Sequence, residues 1–97
     1  MTASRFRIEF SHRAAKAYRA LPKDVRRRIE PKIDALAENP RSHGARKIEG
    51  EETAYRLRVG DYRIVYEVHD RVLLVLVMNV GHRREVYRRK KGVSGLR

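Results

Sequence analysis

Arg56, Arg58 and Arg63 are the residues whose type and spacing most directly imply chemistry. The stretch from 54 to 87 reads AYRLRVGDYRIVYEVHDRVLLVLVMNVGHRREVY. Tyr55, Leu57 and Val59 alternate with Arg56 and Arg58, and after Gly60-Asp61 the alternation resumes, with Tyr62, Ile64, Tyr66 and Val68 against Arg63, Val65 and Glu67. In a strand successive side chains point to opposite faces, so one face is apolar and the other carries fixed positive charge. An antiparallel partner brings Arg63 beside Arg56 and Arg58. Three guanidiniums so placed repel one another unless an anion is bound, and the planar fork of arginine suits phosphate. The competing reading is a solvated face neutralised by Glu67 and water.

A second group, Gly81-His82-Arg83-Arg84-Glu85-Val86-Tyr87, comes directly after the last strand pattern. If Gly81 turns the chain at the sheet edge, His82, Arg83 and Tyr87 come to the end of the charged face and a titratable group meets the bound phosphate. A helix start carrying surface charges accounts for the same spacing. His12, His43 and His69 lack ligand spacing, so no metal site is expected. Glu49, Glu51 and Glu52 read as a solvated turn. There is no Gly-rich phosphate loop, no Ser/His/Asp arrangement and no RNA-recognition aromatic motif.

The patterning also predicts the elements that position these residues. Phe6, Ile8 and Phe10 alternate with Arg5, Arg7 and Glu9, which predicts a half-buried strand over 5–10, with Ser11 free to cap the next element. Ala14, Tyr18, Leu21 and Val25 recur at helical spacing across Pro22. This predicts a helix over about 12–20 and a second from about 22, where proline suits the first turn. Val25, Ile29, Ile33 and Leu36 stripe the second helix, while Arg26, Arg27, Arg28 and Lys32 lie largely off the stripe. Pro31 predicts a kink or break around 27–31. Asn39-Pro40 ends the helix and 41–52 reads as a loop. Strands are expected over 54–59, 62–69 and 72–80, with tight turns at Gly60-Asp61 and Asp70-Arg71. Residues 72–78 are apolar throughout, so the last of these strands is expected to be central. The expected fold is α+β: an N-terminal strand, a helical hairpin, and an antiparallel three-strand meander completing a four-stranded sheet, with a short C-terminal helix or tail from Arg83.

Composition sets the bounds. Ninety-seven residues are expected to form one domain over 1–97. The hydrophobic fraction is 41% and the charged fraction 37%, which implies a small core under an ionic surface. A formal net charge of +12 favours a polyanionic partner, either nucleic acid or an acidic protein. Cysteine is absent, so there is neither a disulfide framework nor a thiolate metal site, and the reducing cytoplasm is the expected compartment. The N-terminus has no signal-peptide core and no apolar run is long enough to span a bilayer, so no membrane association is expected.

The order of elements, together with the segments YRLRVGDYRIVYEV and VMNVGHRREVYRR, resembles the RelE branch of the RelE/ParE toxin superfamily over nearly the whole chain. Residues 62–66 and 81–87 carry the specific part of the resemblance; the N-terminal helices match in pattern. The resemblance implies a messenger-RNA endoribonuclease that acts in the ribosomal A site, needs no metal or other cofactor, and is held inactive by a cognate antitoxin. It places Arg56 and Arg58 where the family carries basic residues before the first turn of the meander. Arg63 matches the arginine of the Gly-Tyr-Arg-hydrophobic-Val-Tyr segment, although Asp61 intervenes here after the glycine. Arg83 matches the arginine after the last strand and Tyr87 the closing tyrosine, while His82 stands where some relatives have lysine.

On this basis Arg56, Arg58 and Arg63 bind RNA phosphate and stabilise the transition state, and Arg84 is a further phosphate-binding residue. Arg83 acts on the leaving-group side. Tyr87 is assigned to proton transfer or base stacking, with His82 its rival for the proton, since arginine, with a pKa above about 12, is no base. The expected partners are ribosome, message and an antitoxin whose acidic, partly disordered segment folds over the basic face. Two other classes compete: a ParE-like gyrase inhibitor sharing the fold, and a non-catalytic RNA-binding module for which charge alone suffices.

Overall fold

Apolar alternation and two helical stripes sort the chain into a sheet and a helical layer. The computed structural model describes residues 5–82, so Arg83, Arg84 and Tyr87, and the expected C-terminal helix or tail, lie outside the described residues. The elements are β1 (Arg7–Phe10), α1 (His12–Arg19), α2 (Lys23–Leu36), β2 (Ala45–Lys47), β3 (Ala54–Val59), β4 (Tyr62–His69) and β5 (Leu74–His82). The sheet has five strands in the order β1-β5-β4-β3-β2, with β1 parallel to β5 and the other pairs antiparallel.

The α+β class and the antiparallel meander agree with the sequence reading, and β5 is interior to the sheet as its apolar run requires. The strand count does not agree. The expected four-stranded sheet gains β2, three residues Ala-Arg-Lys inside what reads as a loop, paired on one side with β3. An edge strand this short, with two cations among its residues, has no period-two apolar signal to betray it.

Helix boundaries obey the capping chemistry. Ser11 is extended, and its Oγ accepts the Ala14 backbone N–H at 3.0 Å. The same hydroxyl donates to the Met78 carbonyl at 3.2 Å, so one side chain both caps α1 and fastens it to β5. Ser11→Ala is expected to cost about 1 kcal/mol and to lower Tm by about 4–8 °C, read by thermal denaturation; a Tm equal to wild type would deny the cap its role. Pro22 is the N-cap of α2. Of the kink or break expected around Pro31, the break is absent, because α2 runs from Lys23 to Leu36 as one helix. Val25, Ile29, Ile33 and Leu36 are buried on both sides of the proline, and that packing holds the helix together despite one lost backbone hydrogen bond.

These four residues and Ala14 pack against Leu57, Ile64, Tyr66, Val68, Val75, Val77 and Val80 of the sheet. Tyr66, fully buried, donates its hydroxyl to the Pro40 carbonyl at 2.6 Å. The Tyr55 ring stacks on it with centroids 5.9 Å apart. Arg41 then closes the loop over this pair: Nε donates to Tyr55 Oη at 2.9 Å, and the two terminal nitrogens donate to the Asp70 carboxylate at 3.1 and 2.6 Å. That fork holds the Asp70 carboxyl below its ordinary pKa.

The β4–β5 connection also departs from the expected tight turn. Asp70–Val72 form a 3-10 turn, and Leu73, at φ 52°, reverses the chain in the left-handed region. Val72 and Leu73 are therefore exposed, at 59% and 37%, and the strand starts at Leu74. At its other end β5 runs past the expected stop at 80 and through Gly81 to His82, so Gly81 is a strand residue here and not a turn.

Candidate nucleic-acid interface

The face of the sheet away from the helices carries the arginines, and strand register says which of them meet. Residues directly opposite in antiparallel strands point to the same side. Arg58 lies opposite Arg63, and two residues back along β3 Arg56 lies opposite Arg46 of β2. Arg46, Arg56, Arg58 and Arg63, with Gly44, line a cleft of about 240 Å³. A Cβ on Gly44 would come within 3.1 Å of Leu57 Cδ1, which would have to give by a few tenths of an ångström.

The electrostatics of the cleft are one-sided. The salt bridges among the described residues are Arg5–Glu38, Arg7–Glu9, Arg41–Asp70 and His69–Glu67, and none of them involves Arg46, Arg56 or Arg58. Glu67, the residue that a self-neutralised face would require, is engaged with His69 Nε2 at 2.8 Å. Arg58 donates to the backbone, from Nε to the Gly60 carbonyl at 3.3 Å. Like charges directly across two strands are destabilising. An anion with several acceptor oxygens, held in a cleft lined by these two arginine pairs, would offset that repulsion.

Arg56, Arg58 and Arg63 are thus brought together as their alternation requires. Arg46 was not legible, because the pairing of β2 that turns it onto this face leaves no trace in the sequence. His82 is not where the sequence reading put it. The register pairs it with Tyr62, and the two rings meet edge to face at 5.6 Å, on the side of the sheet that packs against the helices. The reason is a bulge: Val65 pairs with Asn79 and Tyr66 with Val77, which leaves Met78 as an extra residue. Strict alternation from Val75 and Val77 would turn His82 toward the arginines; the extra residue reverses the phase, so Val80 and His82 face inward and Gly81 lies opposite Arg63. Among the described residues no group of three His, Asp or Glu side chains is placed to hold a metal ion, and no helix is long and apolar enough to cross a membrane.

A family profile described as the ParE toxin of the type II toxin-antitoxin system parDE matches residues 8–87. The chain is 38% identical over 84 residues to the mRNA interferase toxin RelE of Escherichia coli K12, covering 82% of this chain and 87% of that protein. The chain belongs to the RelE/ParE toxin family. Among solved structures, this RelE-like toxin superposes on the toxin of the intact E. coli RelBE toxin-antitoxin complex with a TM-score of 0.72 and 32% identity, over 80% of this chain and 95% of that one. It also superposes on the archaeal RelE–RelB complex of Pyrococcus horikoshii, with a TM-score of 0.70 and 29% identity over 80% and 94% of the two chains. The arginine cleft of this RelE-like toxin is built on the strands of the shared fold.

Proposed function

We propose that the chain is a cytoplasmic toxin that cleaves messenger RNA in the ribosomal A site and so stops translation. The observation that carries this reading is the cleft whose four arginines line one concavity, three of them without a salt bridge among the described residues. Similarity at 38% identity to a protein named an mRNA interferase supports RNA as the anion.

Cleavage by the 2′-hydroxyl needs a group that removes its proton, cations that stabilise the charge on phosphorus as it becomes five-coordinate, and a proton for the departing 5′-oxygen. In this proposal Arg56, Arg58 and Arg84 hold phosphate, Arg63 stabilises the transition state and Arg83 serves the leaving group. No step calls on a metal. The edge-to-face contact between His82 and Tyr62, on the side of the sheet away from the arginines, supports giving the proton transfer to Tyr87. On programmed ribosomes Tyr87→Phe is expected to lower the cleavage rate by about 10²–10⁴ and His82→Ala by much less; the reverse order would return the role to His82.

The cleft is equally suited to an acidic antitoxin segment that orders on binding and covers the arginines. The solved RelE–RelB complexes support a protein partner of this kind. Inducing the protein and mapping message ends on translating ribosomes tests the whole reading. Cuts within codons are expected, whereas DNA damage with intact message would point to a gyrase inhibitor, and ribosome binding without cuts to a non-catalytic module.

A further inference from the structure

The cleft is longer than one phosphate. Its arginines form two cross-strand pairs, Arg58 with Arg63 and Arg46 with Arg56, and the pairs are two residues apart along β3. Two residues of strand advance about 7 Å and neighbouring strands lie about 4.8 Å apart, so the centres of the two pairs are about 8 Å apart, within the reach of long arginine side chains to successive phosphates of an extended single strand. Arg46 and Arg56 flank the cleft at the β2 edge of the sheet, farther from Gly81 than the other pair. A single reacting phosphate held by Arg58 and Arg63 leaves Arg46 and Arg56 over the neighbouring one.

Resting on the proposal that the anion is RNA, we infer that Arg46 and Arg56 form a second phosphate subsite, and that Arg46 is a positioning residue which fixes the register of the message by holding a phosphate that does not react. The subsite needs β2: the three-residue strand has a single sheet partner, and its register is what sets Arg46 beside Arg56. Arginine suits the role because its fork grips two oxygens of one phosphate and so resists sliding of the strand.

The test uses the full-length protein and a fluorescein-labelled trinucleotide with two phosphodiesters and no 2′-hydroxyls, so that binding is read without cleavage. For single strands, log K falls with log salt by about 0.7 per phosphate neutralised. Arg46→Gln is expected to reduce that slope by about 0.7 and Arg46→Lys to restore it, while Arg58→Gln reduces it independently. Replacing the phosphodiester at the second subsite by an uncharged methylphosphonate is expected to lower affinity less in Arg46→Gln than in wild type, because only Arg56 still faces it, while replacing the other lowers it equally in both; equal losses in the two proteins at both positions would overturn the role of Arg46. A wild-type slope for Arg46→Gln beside a reduced slope for Arg58→Gln would overturn the second subsite and leave RNA binding standing. Wild-type slopes for both would overturn the RNA reading itself. Because Arg46 is exposed on an edge strand, its substitution leaves the core intact, and far-UV circular dichroism checks this.

Discussion

Replacing Arg63 with alanine is expected to slow message cleavage on programmed ribosomes by about 100- to 1,000-fold, the usual effect of removing one preorganised donor from a developing negative charge. Arg63 is the residue for which this should be largest, because it sits on the interior strand β4, between Arg58 on one side and Gly81 on the other. A strand interior holds a side chain more firmly than a loop or an edge, and transition-state stabilisation depends on a donor that is already in place. The measurement is single-turnover cleavage at saturating ribosomes, with the variant's fold checked by circular dichroism. A rate within about threefold of wild type would remove Arg63 from the reaction.

The second large effect is on stability. Tyr66→Ala is expected to cost about 3–5 kcal/mol out of the roughly 5–15 kcal/mol that holds a small domain folded. Among the described residues Tyr66 is the largest fully buried side chain, and its removal leaves a cavity beneath Tyr55 as well as an unpaired Pro40 carbonyl. Tyr66→Phe keeps the ring and should cost only about 1 kcal/mol. The two variants separate packing from the hydrogen bond.

The pair also makes a prediction about pH. Burial, with a smaller contribution from Tyr55, pushes the Tyr66 phenol from 10.0 up to about 12. The folded state therefore favours the neutral hydroxyl; this stabilisation is complete below pH about 10 and is lost as pH rises toward about 12. Tyr66→Phe should melt below wild type at neutral pH, with the gap closing between those values. A constant gap across that range would mean that the phenol is not held neutral by the fold.

Much of this architecture is legible in the residues themselves. Phe6, Ile8 and Phe10 announce a half-buried strand, Ser11 a helix start and Pro22 the next one, because each signal is local. Arg56, Arg58 and Arg63 could be assigned to one face because alternation over two strands joined by a two-residue turn leaves little freedom, and Gly60, at φ 60°, supplies the conformation that the turn demands. The features that escaped the sequence were non-local. Pro31 reads as a break when the helix is considered alone, but not when Ile29 and Ile33 are anchored in a core. Arg46 reads as loop because its strand exists only through its partner. Leu73 reads as the start of a strand, since nothing in its own side chain declares a left-handed backbone. His82 reads as placed by a turn at Gly81, but β5 continues through that glycine, and the extra residue at Met78 sets which way His82 faces.

The extra residue at Met78 therefore matters beyond its own geometry. It divides β5 into a stretch in which Val75 and Val77 face the core and a stretch near Arg63 in which Val80 does, the two out of phase by one residue. A single insertion or deletion there would exchange the side chains presented beside Arg63 with those tucked against Tyr62, while Val75 and Val77 kept their packing. A shift in count of one, three residues from the position opposite Arg63, thus re-deals which groups face the arginine cleft, at the cost of turning Val80 out of the core.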